Sequence, residues 1–187
     1  MQKRVLLLTG SPGVGKTTVL TKTVDSLRQR GYKIGGMISR EIRENGVRVG
    51  FEITDLNSAR RGWLAHINQK DGPRVGKYSV NLEDLDTVGV QAITDATKNC
   101  NVIVIDEIGP MELFSKKFRN VVQESLESPK VVIAVVHWKA RDELIAKTKN
   151  RMDAETFTVT AENRDYLDDL LTEKAVEELK QKLNHRF

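Results

Sequence analysis

The stretch RVLLLTGSPGVGKTTVL, Arg4 to Leu20, constrains the fold of this chain more than any other. Aliphatic residues run to Gly10, the pattern of a buried strand. From Lys16 to Arg30 the apolar residues Val19, Leu20, Val24 and Leu27 recur at helical spacing, and Gly31 stands where a helix C-cap is wanted. A strand that turns at once into a helix needs a parallel partner to return to. Two further continuous apolar runs, Val102–Ile105 and Val131–Val136, have the composition of strands buried on both faces. Helices predicted between and after them imply an α/β fold with a parallel sheet in the middle of three layers. Right-handed crossovers then bring the C-terminal ends of those strands to one rim, where ligands bind in open α/β sheets.

Not every segment fits parallel crossovers. Apolar and other residues alternate on both sides of Asn45-Gly46, a dipeptide suited to the positive φ angles of a tight hairpin turn. Strands are expected near 36–42 and 47–56, an antiparallel feature attached to the parallel sheet. Short strands are expected near 62–67 and 77–80, within an arginine- and glycine-rich region from Ser58 to Asn81. Helices are expected over 82–98, 111–126, 141–149 and 164–183, with a strand near 156–160. Neither repeat nor low-complexity linker interrupts the 187 residues, so the expectation is one domain over 1–187.

Composition excludes several classes. Hydrophobic residues at 39% and charged residues at 30% describe a folded chain rather than a disordered one. No apolar run approaches the ~20 residues of a membrane span. The short apolar start reads as a strand, not a signal peptide, so a cytoplasmic location is expected. The single cysteine, Cys100, excludes an intrachain disulfide, and no Cys/His cluster has metal spacing. The net charge of +4 suits an anionic ligand but comes with 5% aromatics and no basic stripe that would mark a nucleic-acid surface.

Gly10 to Thr17, GSPGVGKT, matches G-x-x-x-x-G-K-[ST] at every fixed position and lies between a predicted strand and a predicted helix. Gly10, Gly13 and Gly15 let the backbone of Ser11, Pro12 and Val14 wrap a phosphate without Cβ clashes. The helix start adds unsatisfied N–H groups and partial positive charge. Lys16 can reach β and γ phosphates, Thr17 can ligate Mg²⁺, and Thr18 can bond a phosphate nearer the nucleoside.

VIVIDEIGPMEL, Val102 to Leu113, places two carboxylates at the end of a buried strand. Asp106 is expected to hold Mg²⁺, for which a hard oxygen ligand is suited. Glu107 is expected where the chain leaves the strand and alternation lapses, so that it can orient and deprotonate a water in line with the γ-phosphate. Gly109, counted with the nucleotide-binding residues, and Pro110 break the chain. Glu112 follows in what reads as the first turn of a helix, where the dipole favours negative charge as much as a site role would.

With these strings in view, the chain resembles the THEP1-type nucleoside-triphosphatases, small P-loop enzymes. TGSPGVGKTT, SREIRENGVRVGFEITDL, RVGKYSVNL, VIDEIGPMELFSKKFR and TAENRDYL match that family in order, and D-E-I-G-x-M-E-L is its most specific string. The resemblance implies slow Mg²⁺-dependent hydrolysis of nucleoside triphosphates with broad base tolerance. It also implies a RecA-like P-loop core, a three-layer αβα sandwich whose mostly parallel sheet is extended by antiparallel strands. Carried over, Gly10 to Thr18 would bind phosphate, Asp106 and Thr17 would hold the metal, Glu107 would position water, and Asn163-Arg164 would pack near the base. Two departures stand out: some members carry lysine where this chain has Pro110, and a threonine-isoleucine-proline stretch where it has His137-Trp138.

Two other readings compete: a small-molecule or nucleoside kinase on the same fold, and a nucleotide-gated module for nucleic acid. A dedicated GTPase is disfavoured because no N-K-x-D string occurs. Arg43, Arg48, Arg74, Arg119 and Arg164 are candidates for stabilising charge on the transferred group. Histidines 66, 137 and 185 are assigned no catalytic role, Trp63 and Trp138 are read as packing or surface residues, and the protein is expected to be a monomer.

Overall fold

The computed structural model describes residues 3–184. One nine-stranded sheet runs through them in the order β5-β6-β4-β3-β2-β7-β8-β1-β9. Its strands are β1 (Val5–Thr9), β2 (Ile34–Glu44), β3 (Val47–Asp55), β4 (Arg61–His66), β5 (Arg74–Val75), β6 (Tyr78–Val80), β7 (Val102–Ile108), β8 (Val131–Val136) and β9 (Ala154–Thr158). The helices are α1 (Lys16–Gln29), α2 (Leu82–Asp84), α3 (Gln91–Asn99), α4 (Lys116–Glu127), α5 (Glu143–Lys149) and α6 (Leu167–Asn184). A π-helical segment, Leu85–Val90, joins α2 to α3.

The continuous apolar runs are the parallel half. β2, β7, β8, β1 and β9 pair in parallel, and alternate residues face opposite layers, as strand geometry requires. Val5, Leu7, Ile103, Ile105, Val132 and Ala134 share one core with α3, α4 and α5. Leu6, Leu8, Val102, Val104, Ile133 and Val135 share the other with α1 and α6. The expected three-layer sandwich follows directly from that double burial.

The hairpin is as expected, with Asn45 and Gly46 both at positive φ and Met37 to Glu44 laddered on β3. The extension is larger than one hairpin, because β4, β6 and β5 continue it antiparallel. β2 belongs to both halves. It pairs with β7 from Ile34 to Met37 and with β3 from Met37 onward. At Gly36 φ is +116°, and a Cβ there would come within 2.0 Å of the Val104 carbonyl oxygen.

Three expectations need correction. Glu112 does not open the helix that follows it. It lies in a 3₁₀ turn, Glu112–Phe114, and α4 starts after Ser115, whose Oγ accepts from the Phe118 N–H. A serine cap with extended φ and ψ outcompetes the Gly-Pro start. The strand near 156–160 is shifted to 154–158 by its register on β1. The last helix starts at Leu167, because Thr160 to Tyr166 form a turn closed by the Asn163 side chain on the Thr160 N–H.

Candidate active site

The loop from Gly10 to Gly15 leaves the C-terminal end of β1 and delivers the chain to α1. Its conformation needs glycine: φ is +150° at Gly10, +75° at Gly13 and +113° at Gly15. At Gly10 a Cβ would also meet the Val159 carbonyl at 2.7 Å. Gly15 caps α1 with no side-chain hydrogen bond and no acidic residue follows in the first turn. The first N–H groups and the positive end of the dipole are therefore left to a ligand. Lys16 folds back over the loop, and its Nζ donates to the carbonyls of Gly10 and Ser11, each at 3.1 Å.

β7 brings the carboxylates to the same rim. Asp106 keeps the parity of Val102 and Val104 and so points toward α1, where its Oδ2 accepts from Thr17 Oγ1 at 2.8 Å. The strand does not end between the two acids, as alternation suggested. It runs on to Ile108, with a register irregularity against β8 between Ile105 and Ile108. Such irregularities re-aim side chains next to ligand sites. Both Asp106 and Glu107 line one cleft of about 550 Å³ with the glycine loop, Lys16, Thr17 and Thr18.

Glu112 lines this cleft as well. Gly109 sits between it and Glu107: a Cβ there would lie 2.7 Å from Glu107 Oε1 and 3.1 Å from Glu112 Oε2. A side chain at this position would push against both carboxylates. Three acids so close and so deep cannot all ionise easily. Asp106 is 2% exposed, and burial pushes its carboxyl up to about 7, against the Thr17 hydrogen bond and with help from the Glu107 charge. Burial also raises Glu107, opposed by His137 and Lys16. Glu112, 4% exposed, is raised well above the usual range by burial and by the Glu107 charge.

Asn163 and Arg164, expected near the base, lie on the far side of the loop from the acids. Arg164 lies behind the loop, its Nη1 donating to the Val14 carbonyl at 3.4 Å. Asn163 is spent on the backbone, donating to the Thr158 carbonyl and accepting from the Thr160 N–H. Both adjoin β9, on the side of β1 away from the acids. Among the candidate arginines only Arg48 lines the cleft. Arg119 instead grips both oxygens of Asp142, and Arg43 only pairs with Glu41 at the rim.

Sequence reasoning missed Ser39, Arg40 and Glu41 of β2, and His137 at the end of β8, all of which line the cleft. For His137 the signal was available, since it follows the buried run Val131–Val136 on the ligand rim just as Asp106 follows Val102–Ile105. Its Nδ1 accepts from the Ala140 N–H at 2.9 Å and the Lys139 N–H at 3.3 Å. A neutral His137 therefore carries its proton on Nε2.

Thr17 and Asp106 offer two hard oxygens at hydrogen-bond distance, a donor set that fits Mg²⁺ shared with phosphate oxygens. Among the described residues no group of three or more His, Cys, Asp or Glu side chains is arranged to hold a metal unaided. That agrees with an ion whose remaining ligands come from substrate and water.

Comparison with known proteins points the same way. The profile of the NTPase family matches residues 5–172. The chain is 47% identical over 168 residues to the nucleoside-triphosphatase THEP1 of Thermofilum pendens, covering 89% of this chain and 92% of that protein. It is 46% identical to the Methanosarcina acetivorans protein of the same name, covering 93% and 98%. Its fold is similar to the crystal structure of THEP1 from Aquifex aeolicus, with TM-score 0.78, 31% identity and coverage of 89% and 96%. The solution structure of a human cancer-related nucleoside triphosphatase gives TM-score 0.76 at 34% identity, covering 90% and 96%. Matched along nearly its whole length in sequence and in fold, the chain belongs to the THEP1-type nucleoside-triphosphatase family.

Proposed function

We propose that this protein hydrolyses nucleoside 5′-triphosphates to the diphosphate and phosphate, with Mg²⁺ on Thr17 and Asp106 and with Glu107 as the group that positions the attacking water. The observation that carries the reading is the convergence of the glycine loop, Lys16, the Thr17–Asp106 pair and Glu107 on one cleft. Each supplies a part phosphoryl transfer needs. The loop N–H groups and Lys16 hold the phosphates. Thr17 and Asp106 would hold Mg²⁺, which would supply positive charge to offset that of the phosphates. Glu107, buried beside Lys16 and His137, accepts the water proton as the oxygen adds to phosphorus. Lys16 must exchange its two loop carbonyls for phosphate oxygens, which keeps it on the line of charge development.

Broad base tolerance is part of this reading: Asn163 is oriented by the Thr158 carbonyl and the Thr160 N–H rather than by a base. The test is phosphate release from ATP, GTP, CTP and UTP, with Mg²⁺ and with chelator. Release from all four that chelator stops is expected. No release from any of them with Mg²⁺ present overturns the reading, and release from one alone overturns the base tolerance.

A further inference from the structure

Hydrolysis needs room beside Glu107 for a water. The cleft holds far more. The order of strands across the rim gives it a direction: the phosphate loop at β1, His137 at β8, the carboxylates at β7, then β2, β3, β4 and β5. A triphosphate whose γ-phosphate met Asp106 and Glu107 would, on this order, extend its nucleoside end back toward β9. Everything on β2 to β5 therefore lies beyond the γ-phosphate. There apolar Phe51, Leu64 and Val75 line the wall beside the charged Arg40, Glu41 and Arg48, and Met111 adjoins from the turn after β7. Its flat element is built. The Arg48 guanidinium stacks 5.2 Å from the Phe51 ring centroid, held by Tyr78 Oη at 3.0 Å and Glu41 at 3.2 Å, while Tyr78 packs edge-on to Phe51. Ser39 and Glu41 add polar groups between this wall and the acids.

We propose that this chamber is the site of a second substrate, a nucleoside-sized alcohol with a flat apolar body, and that the γ-phosphoryl group is transferred to its hydroxyl. The flat body rests against Val75 and the Arg48–Phe51 stack, and the hydroxyl takes the place of the water at Glu107. The acceptor oxygen forms a bond to the γ-phosphorus as the bond from that phosphorus to the β,γ-bridging oxygen breaks. The diphosphate leaves with the electron pair, and the hydroxyl proton passes to the Glu107 carboxylate. Hydrolysis is then the reaction of the empty chamber. The inference rests on the hydrolase reading for the roles of the loop, the metal and Glu107.

The experiment supplies γ-labelled ATP and Mg²⁺ to the full chain with adenosine, guanosine, cytidine, uridine or thymidine. Labelled phosphomonoester is then separated from labelled phosphate. Monoester is expected from at least one nucleoside. A parallel set with Val75→Trp, which fills the chamber, is expected to lower the ratio of monoester to phosphate by about tenfold or more, the scale of steric exclusion from an apolar pocket. Phosphate equal to diphosphate in every reaction, with no monoester, overturns the acceptor chamber and leaves the hydrolase intact. An unchanged ratio in Val75→Trp overturns the placement. Absence of both products overturns the hydrolase reading on which the inference rests.

Discussion

The two halves of the sheet are built on different terms. In the parallel half every residue of β8, and Val102 to Asp106 of β7, is buried. Stability there is apolar area removed from water, about 25 cal/mol per Å². In the antiparallel half, exposed and half-buried residues dominate beyond the first turns of β2. Arg40 and Arg61 both reach Glu52, and Arg43 and Arg48 both reach Glu41. Exposed pairs of this kind are worth ~0–1 kcal/mol each. The half that holds the phosphate machinery is thus the more deeply buried one, and the half that supplies the far wall of the cleft is the more solvent-exposed one.

The comparison can be broken at five places. The largest effect is expected at Lys16→Ala, which removes a phosphate contact from the more deeply buried half. Phosphate release should fall by about 10³-fold or more, while the melting temperature moves little. Glu107→Gln should cost about 10²–10⁴-fold in turnover and leave binding of a non-hydrolysable nucleotide near wild type by calorimetry. Unchanged turnover would move the water-positioning role to Glu112. Third, Gly36→Ala strikes the seam between the halves. Its Cβ would enter the Val104 backbone, so a loss of about 2–4 kcal/mol in chemical denaturation is expected.

The fourth concerns pH in the nucleotide- and metal-free protein. Asp106, Glu107 and Glu112 all have folded pKa values above their unfolded ones. The native state then holds protons that the unfolded chain has released, and stability falls with rising pH. This contribution is fully present below the ordinary carboxylate range, about 4. It is lost as pH climbs through that range to about 7, where Asp106 titrates. The melting temperature should drop over that window, Glu112→Gln should flatten the drop, and Mg²⁺ with nucleotide should offset it. A melting temperature that rises across the window would sink the account. The smallest effect is expected at Arg43→Ala on the hairpin, within about 0.5 kcal/mol by denaturation, because its partner Glu41 is shared with Arg48.

The parallel half was the legible one. Its apolar runs have a single reading, and the glycine loop has positions that only one backbone path satisfies. The walls of the cleft were not legible, because β2 to β5 lie far in sequence from the acids of β7, and nothing local marks Arg40 or Phe51 as lining the same cleft as Asp106. Glu112 misled for a different reason. Pro110 is a genuine helix-start signal, but the Ser115 cap five residues later prevailed, leaving Glu112 in a short turn that tips it into the cleft. Near Glu107, alternation was right that something lapses and wrong about what. A bulged strand and an ended strand look alike in sequence.

The tether of Lys16 has a further consequence. With its ammonium already held by two carbonyls of the loop, the side chain is preorganised, and little rotamer entropy remains to be lost when a ligand arrives. The tether also acts as a competitor. A ligand must offer Nζ something better than two amide oxygens, and an anionic phosphate does while a neutral nucleoside does not. Selectivity for the phosphorylated end of the molecule is therefore set in the loop itself, before the base or the sugar is touched.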